Sequence, residues 1–367
     1  MSEQAPLRVW HVDSGKRHGG GQVQISHLLN GLVRRGVACT LVCPKESPIP
    51  SLGIPPEIEI IHLNLRSEWD LPSIWKLRRT VRLGRPDILH AHDATAHTIC
   101  LLARTDRQKM VVHRRVSFPI HRHVLTRWKY GTGVDRYIAV AECVRDRLVE
   151  IGVPKEKVAV IHSAVDLSRF ENIGQDIAAV REEFGLTENR KIIGTVGRLT
   201  REKRYDWLLD TLKSILENNP AYCLVLAGDG PERGALESQA EHLGIREQIV
   251  FAGHREDVPR LLSAFDVYVL CSESEGYPVS LAEAMAAGCA VVSTDVGGVS
   301  EIVRPGENGI VVSPDDGVQL RDAVGDLLQN EQSRMELGRA GRESAMKKMG
   351  AEAIVESVLK LYNECIL

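Results

Sequence analysis

Short apolar runs rich in β-branched residues alternate with helical patterns along the whole chain, and this alternation constrains the fold more than any other feature. In the first half the runs are LRVWHV, VACTLVC, DILHAH, KMVVH and DRYIAV, and a helix is predicted over about 21–35 between the first two. Strands that alternate with helices form parallel sheets with crossover helices. The sequence therefore predicts an α/β fold.

The same alternation begins again in the second half. Strands are predicted over 191–197, over 221–228, near 249–252 and over 266–270, followed by AVVST and GIVVS. The chain has 367 residues and is 43% apolar, which is enough for two separate cores. We expect two Rossmann-like α/β/α domains, residues 1–165 and 175–350. The irregular polar segment 162–176 is the predicted hinge, and the final helix could pack on either domain.

Composition and charge limit the functional classes. The chain has neither a basic start followed by an apolar run nor the ~20 consecutive apolar residues that span a bilayer, so we expect a cytoplasmic protein. Its eight cysteines form no CxxC pair and fit reduced, packed thiols. Residues 1–170 carry 26 Lys and Arg against 16 Asp and Glu, whereas residues 171–367 carry 20 against 33. This asymmetry favours an enzyme with one substrate for each domain.

The segment CSESEGYPVSLAEAMAAGCAVVST is the most informative. Pro278 suits the first turn of a helix, which places Glu275 in the preceding loop and Glu283 within the helix. The backbone N–H groups of Val279 and Ser280 would lack partners at the positive end of the helix dipole. This geometry predicts a diphosphate site, although the glutamates alone would also fit solvated charges.

Two cations follow a strand of the same predicted sheet. Arg198 and Lys203 lie five positions apart in VGRLTREKRYDWLL, where the predicted strand 191–197 runs into a loop. A guanidinium and an ammonium could together hold a diphosphate, and ligands bind at the carboxyl ends of parallel strands. The alternative interpretation is two surface charges at a βα turn.

Histidines are concentrated in the first half and raise the question of a metal. His90, His92 and Asp93 lie close together in LHAHDATAH, but no distant third ligand is evident and the chain has no DxD motif. We therefore predict no metal site. His113 ends a strand, and by itself would be a histidine without a role.

Several motifs together resemble family 4 of the retaining glycosyltransferases, which have the GT-B fold. They are the GR pair followed by Lys203, AGDGPERGALE, FAGHRED, and two glutamates with seven residues between them. GGGQVQISHLLNGLVRRGVACTLV and YIAVAECVRDRLVEIGVPKEKVAVI extend the resemblance to the first half. The resemblance implies two Rossmann-like domains facing across a cleft, with the helix 352–367 returning to the first.

The resemblance also implies roles for individual residues. Glu283 would bind the donor ribose, Glu275 the hydroxyls of the transferred sugar, and Arg198 and Lys203 the diphosphate, while His113 would lie near the transferred sugar. The implied donor-binding set is Gly197, Arg198, Lys203, Gly253, His254, Glu275, Gly276, Tyr277, Pro278, Val279, Ser280 and Glu283. The implied acceptor or phosphate loop comprises Gly19, Gly20 and Gly21, accompanied by Arg114 and Arg115.

The implied reaction is metal-independent transfer of a hexose-type sugar with retained configuration. The donor would be a UDP- or GDP-sugar, with no further cofactor, and the acceptor a saccharide or a lipid-linked glycan in cell-surface glycan or lipopolysaccharide synthesis. A GT-B epimerase, a sugar phosphorylase and a non-catalytic nucleotide-sugar-binding subunit are the alternatives. One departure is Ser163, Ala164, Val165 and Asp166, where the family usually has Asn-Gly-Val-Asp.

Two basic clusters in the first half bear on the acceptor. The clusters are Lys76, Arg78, Arg79, Arg82 and Arg85 on a predicted helix, and Arg114, Arg115, Arg122, Arg127 and Lys129 after His113. They predict an anionic acceptor, with peripheral contact at the inner face of a membrane. Solvated charge is the alternative interpretation. Nucleic acid is not expected, because no nucleic-acid motif is present.

Overall fold

The computed structural model describes residues 5–117, 120, 124–171, 173–174, 177–187, 189–217 and 219–366. Its contacts divide the chain into two compact units, the first made of Met1–Ala164 with Ala351–Leu367 and the second of Val165–Gly350. Each unit is built on one parallel sheet. The predicted α/β class, with two parallel sheets and crossover helices, is confirmed.

The first unit has a seven-stranded sheet in the order β3-β2-β1-β4-β5-β6-β7. The strands are β1 Arg8–Val12, β2 Ala38–Cys43, β3 Glu59–His62, β4 Ile88–Ala91, β5 Lys109–Arg114, β6 Arg136–Ala139 and β7 Val158–Val160. The helices are α1 Gly20–Arg34, α2 Leu71–Gly84, α3 Ala94–Ala103, α4 Val124–Gly131, α5 Glu142–Glu150 and α14 Ala351–Ile366. The register pairs His11 of β1 with His90 of β4, which brings two histidines together at the carboxyl edge.

Helix α14 belongs to the core of the first unit. Its buried face, which includes Val358 and Tyr362, packs with residues of β1, β2 and α1. A Cβ on Gly31 of α1 would lie 2.4 Å from a Val355 methyl carbon, so the two helices need a glycine to approach this closely. Arg35 adds an ion pair to Glu352 at 2.6 Å.

The second unit has a six-stranded sheet in the order β10-β9-β8-β11-β12-β13. Its strands are β8 Lys191–Val196, β9 Tyr222–Ala227, β10 Ile249–Gly253, β11 Val267–Leu270, β12 Ala290–Thr294 and β13 Ile310–Val312. Its helices are α6 Ile177–Glu183, α7 Tyr205–Glu217, α8 Arg233–His242, α9 Val258–Leu262, α10 Val279–Ala287, α11 Val299–Ile302, α12 Gly317–Gln329 and α13 Glu331–Lys348. The strand order reverses between β8 and β11, and loops beside such a reversal are where doubly wound sheets bind ligands.

The segment predicted as a hinge contains the boundary between the units. It includes a 3₁₀ turn, Leu167–Phe170, and the boundary falls between Ala164 and Val165. Positions 172, 175 and 176 of the segment lie outside the described residues. All eight cysteines are free thiols, and seven of them are buried.

Candidate functional site

At the carboxyl edge of the second sheet, the main chains of neighbouring strand ends pack directly against one another. Gly228, at φ +144°, lies so close to the loop after β8 that a Cβ would be 1.8 Å from the Gly197 carbonyl oxygen. Its N–H donates to the Gly253 carbonyl at 2.7 Å. Only glycine tolerates both this positive φ and so close an approach. The ends of β8, β9 and β10 therefore present main-chain atoms rather than side chains at this edge.

Glu275 lies in the loop between β11 and α10, and its carboxylate is already engaged. Its Oε1 accepts from Lys203 Nζ at 2.6 Å and from the Ser272 hydroxyl at 2.7 Å. The side chains of Lys203 and Glu275 are only 21% and 11% exposed. The two residues predicted separately for the diphosphate and the sugar therefore form one hydrogen-bonded pair in the ligand-free chain.

The loop that carries Glu275 is fixed from a second side. Gly297, at φ +59°, would place a Cβ 1.8 Å from the Glu275 carbonyl oxygen, and the Gly298 N–H donates to the Gly276 carbonyl at 2.9 Å. On the other side the Glu273 N–H donates to the Glu202 carbonyl at 2.9 Å. Sequence analysis missed Ser272 and Gly297, because the motif shows neither residue's partner.

Helix α10 begins as the proline predicts. Pro278 is its N-cap, and the Pro278 carbonyl accepts from the N–H groups of Leu281 and Ala282. The N–H groups of Val279 and Ser280 precede the first intrahelical bond and so carry the positive end of the dipole. Tyr268 of β11 donates to Ser280 Oγ at 2.8 Å, which orients that hydroxyl. This N-terminus has the chemistry of an anion site.

The two predicted clamp cations differ in their surroundings. Lys203 ends a 3₁₀ turn, Arg201–Lys203, and is tied to Glu275. Arg198 is exposed, and its guanidinium forms no ion pair within the described part of the chain. Arg198 is therefore open to a ligand, whereas any ligand that reaches Lys203 must displace Glu275 or share the ammonium with it.

Glu283 lies on α10 one turn beyond the N-terminus. Burial raises the pKa of its carboxyl to about 7, although the neighbouring Arg169 favours the ionised form. The group is thus poised to change charge near neutral pH. Gly253 is the last residue of β10 and the exposed His254 follows it, where the positive φ of Gly253, +67°, turns the main chain. Tyr277 is buried behind the loop at 8% exposure.

In the first unit His113 lies next to the last residue of β5, among other buried histidines. Its Nδ1 lies 3.2 Å from Arg115 Nη2, and its ring stacks on His90 with centroids 5.6 Å apart. Burial, assisted by the Arg115 charge, holds the pKa of His113 well below its usual range. Burial likewise lowers the pKa of His92, so both rings are neutral at pH 7.

The expectation that no third histidine joins His90 and His92 is wrong. His11 of β1 lies with them, and one ring nitrogen from each falls within 4.8 Å of the others. Sequence spacing could not reveal this, because the partner comes from another strand of the sheet. Asp93 is occupied elsewhere, since it caps α3 at the Ala96 N–H and accepts from Ser14.

The ring nitrogens of these three histidines are not arranged as metal ligands. A metal-bound histidine normally donates its second N–H to an acceptor. The second nitrogen of His92, Nδ1, instead faces the guanidinium of Arg115 at 3.2 Å, and a guanidinium only donates. The absence of a resident metal remains a prediction.

The glycine run opens α1 with little steric demand from the protein, since a Cβ on Gly19 would meet only the flexible Gln22 side chain, at 3.2 Å. Gly19 caps the helix in an extended conformation, at φ −168°. A Cβ on Gly20 would contact nothing within 4 Å, and one on Gly21 would lie 3.9 Å from Arg115 Cδ. The structure thus places Gly21 beside Arg115. Arg114 is directed elsewhere, because its Nη1 donates to the Tyr130 hydroxyl at 3.2 Å.

Exposed aromatic residues accompany the basic clusters. On and before α2, Trp69 is 54% and Trp75 is 62% exposed, and the guanidinium of Arg79 lies over the Trp75 ring. Lys129 of α4 pairs with Glu68 at 2.9 Å, which joins α4 to the segment before α2. Of the second cluster, Arg122 lies outside the described residues, as do the neighbouring Phe118, His121 and His123. No helix among the described residues is long and apolar enough to cross a membrane.

Two family models match the chain. The model described as glycosyl transferases group 1 matches residues 176–344, and the model described as glycosyltransferase family 4 matches residues 18–169. The matched ranges lie largely in the second and first units, respectively.

Individual proteins agree with these models. The chain is 26% identical to the lipopolysaccharide core biosynthesis glycosyltransferase LpsE of Rhizobium meliloti, over 97% of this chain and 98% of that protein. It is 25% identical to N-acetyl-alpha-D-glucosaminyl L-malate synthase of Bacillus anthracis, over 81% and 80%. The crystal structure of Anabaena Alr3699/HepE in complex with UDP and glucose superposes with a TM-score of 0.86 at 20% identity, covering 97% of this chain and 99% of that one. The GT-B fold is confirmed.

Proposed function

The chain belongs to glycosyltransferase family 4, the group 1 glycosyl transferases, and from this premise we propose that it transfers a sugar from a nucleoside diphosphate sugar with retained anomeric configuration. The observation that carries the proposal is the carboxyl edge of the second sheet. There an open arginine and a lysine–glutamate pair lie on loops fixed by glycine contacts, beside a helix that contributes its N-terminus and a half-buried glutamate.

The proposed donor site assigns each group one part of the donor. Arg198, Lys203 and the N–H groups of Val279 and Ser280 bind the diphosphate, and Glu283 accepts from the ribose hydroxyls. The main chain at Gly253 and His254 contacts the base. UDP and GDP are the proposed nucleotides, and the co-complex of Alr3699/HepE with UDP supports the uridine form.

The Lys203–Glu275 pair suggests how sugar and diphosphate are recognised together. A donor would bring phosphate oxygens to Lys203 Nζ and sugar hydroxyls to Glu275, so that each partner keeps a hydrogen bond while their mutual bond at 2.6 Å relaxes. As the glycosidic C–O bond breaks, charge grows on the departing phosphate, and Arg198 and Lys203 stabilise it. The acceptor hydroxyl attacks from the face of the departing phosphate, which takes its proton. His113 donates to a hydroxyl of the transferred sugar.

The experiment that tests this function is a binding and turnover screen of the purified full chain. UDP, GDP, ADP and their sugar conjugates are titrated by calorimetry, and nucleotide release is then measured with saccharide acceptors in the presence of EDTA. We expect one nucleotide to bind best and its sugar to be transferred without added metal, because cations of the protein hold the diphosphate. Release of free sugar phosphate or of an epimer would point to a phosphorylase or an epimerase. Binding without turnover would point to a non-catalytic subunit.

The raised pKa of Glu283 predicts how nucleotide affinity depends on pH. Ribose hydroxyls donate to the ionised carboxylate, and this form is lost as the pH falls through about 7. The affinity for the nucleotide should therefore decline as the pH falls below that value, by at most about tenfold for each pH unit, until it levels off near the affinity of Glu283→Gln. Glu283→Gln should weaken binding at high pH and remove this component of the pH dependence.

Calorimetric titrations of both proteins between pH 5.5 and 8.5 test the Glu283 assignment. The diphosphate itself takes up a proton in acid, so the difference between the wild-type and Glu283→Gln profiles isolates the carboxyl group. Parallel profiles would show that Glu283 does not contact the ribose.

For the acceptor side we propose contact with an anionic saccharide or a lipid-linked glycan at a membrane surface. Helix α2 and its C-cap residue carry exposed cations beside exposed apolar side chains. The cations are Lys76, Arg79, Arg82 and Arg85, and the apolar residues are Leu71, Trp75 and Leu83. Cations attract anionic headgroups, and tryptophan suits the interfacial region. Arg115 is a poor candidate for this contact, because histidines and a carbonyl take its Nη donors.

The membrane proposal predicts that the chain sediments with phosphatidylglycerol vesicles and is released as salt is raised, since salt screens exposed charge. Trp69→Ser/Trp75→Ser should bind several-fold more weakly. Met335→Ser, which removes a side chain of 66% exposure from the second unit, is the matched control and should bind like wild type. Equal binding by the tryptophan variant, or binding that salt does not change, would contradict the proposal.

A further inference from the structure

One nitrogen atom of Arg115 lies within hydrogen-bond distance of two histidines. Its Nη2 lies 3.2 Å from His92 Nδ1 and 3.2 Å from His113 Nδ1, and its Nη1 donates to the His92 carbonyl at 3.2 Å. Nη2 carries two hydrogens and accepts none. Both histidine Nδ1 atoms must therefore be acceptors, with a hydrogen available for each.

The position of one proton on each ring follows. A neutral imidazole has one N–H, so a ring that accepts at Nδ1 carries its proton on Nε2. His92 then donates from Nε2 to His11 Nδ1, at 3.0 Å, and this contact in turn places the His11 proton on its own Nε2. A single arginine thus determines the tautomers of three neighbouring histidines.

Two of these protons have no acceptor within the described residues. The Nε2 atoms of His11 and His113 are buried and without a hydrogen-bond partner there. A buried donor that lacks a partner is costly, and such groups cluster where a ligand supplies the missing atom. His113 and Arg115 also line a small pocket with Gln24 and Ser163, which places His113 next to a cavity.

We propose that Arg115 is a positioning residue that fixes His113 as the Nε2–H tautomer, so that His113 meets an oxygen of the bound sugar as a hydrogen-bond donor and not as an acceptor. The role in transfer rests on the proposed function, whereas the tautomer assignment does not. His90 supports the arrangement from the side, because its ring is parallel to His113, at 1°, and its Nδ1 pairs with the Tyr362 hydroxyl at 2.5 Å.

The tautomers are read directly from long-range ¹H–¹⁵N correlation spectra of the full chain labelled with ¹⁵N-histidine. Signals are assigned with His92→Asn and His113→Asn. In wild type both rings should be neutral with a protonated Nε2 and a bare Nδ1. Arg115→Met should let His113 populate the Nδ1–H form. Arg114→Met is the matched control, because Arg114 bonds to Tyr130, and it should leave both tautomers unchanged.

Kinetics then tests whether the tautomer matters for transfer. Arg115→Met should lower kcat about as much as His113→Asn does, with little change in donor KM, and the double variant should be no slower than His113→Asn alone. Arg115→Lys, which can still donate, should recover part of the loss.

Three results would overturn the inference: a wild-type His113 that carries its proton on Nδ1, unchanged tautomers in Arg115→Met, or shifted tautomers with wild-type turnover. The wild-type spectrum decides the first point even if a variant fails to fold. If the wild-type chain released no nucleotide from any donor, the proposed function would fall, and the spectra would still decide whether Arg115 sets the tautomers.

Discussion

Glu275→Gln is expected to reduce sugar transfer by at least about 10²-fold while leaving the Kd for the free nucleoside diphosphate close to that of wild type. The carboxylate is proposed to accept from sugar hydroxyls, and charge-assisted hydrogen bonds are about twice as strong as neutral ones. The free nucleotide lacks the sugar and so loses no contact. The variant also removes the negative charge from the 2.6 Å pair with Lys203, although the amide oxygen can still accept from this cation.

The measurement is nucleotide release at saturating donor, paired with calorimetry of the nucleotide alone. Glu273→Gln is the matched control, because Glu273 is exposed in the same loop and only its backbone makes a described hydrogen bond. It should transfer sugar like wild type. If Glu275→Gln lost nucleotide affinity and transfer in the same proportion, Glu275 would be a general binding or folding residue and not a contact to the sugar.

Arg198→Ala is expected to lower kcat by about 10²–10³-fold, the usual cost of removing one group that stabilises charge in the transition state. The exposed guanidinium has no ion pair within the described residues that would have to break first, so all of its interaction energy is available to the departing diphosphate. Removal should also weaken nucleotide binding, but by less than it slows transfer, because charge on the phosphate grows as the bond breaks.

Arg201→Ala is the control for this prediction. Arg201 is also exposed and lies in the 3₁₀ turn between Arg198 and Lys203, but no role in the donor site is proposed for it. Comparable losses in both variants would indicate that the loop contributes only general positive charge. A salt titration separates the cases, since a screened surface charge would lose its effect as the ionic strength rises.

The fold was predictable because its signals are local. Alternating strand and helix patterns indicate parallel sheets, and Pro278 and Gly288 bracket a helix that forms over Val279–Ala287 with Gly288 left-handed at its end. The buried stripe of the final helix was also visible, whereas its packing on the first domain was implied only by the family resemblance. That packing depends on Gly31 allowing Val355 to approach, a contact between residues 324 positions apart.

The candidate site was predictable as a set of residue types and not as a set of contacts. Motif spacing indicated Glu275 and Lys203 but not that they bind each other, because residues 72 apart meet only through the order of β8 and β11 in the sheet. The third histidine was missed for the same reason, since His11 reaches His90 through the pairing of β1 with β4. Local sequence also could not show that Arg115, in a run of surface-like charges, bonds to buried rings.

We propose that a nucleoside diphosphate sugar loses its sugar here with retained configuration. The most direct test is a ¹H NMR measurement of the anomeric coupling constant of newly transferred or released sugar, recorded in EDTA before mutarotation, with the best-binding α-linked donor. We expect a first-formed α-anomer and a rate that EDTA does not change. A first-formed β-anomer, or turnover that requires an added divalent metal, would contradict it.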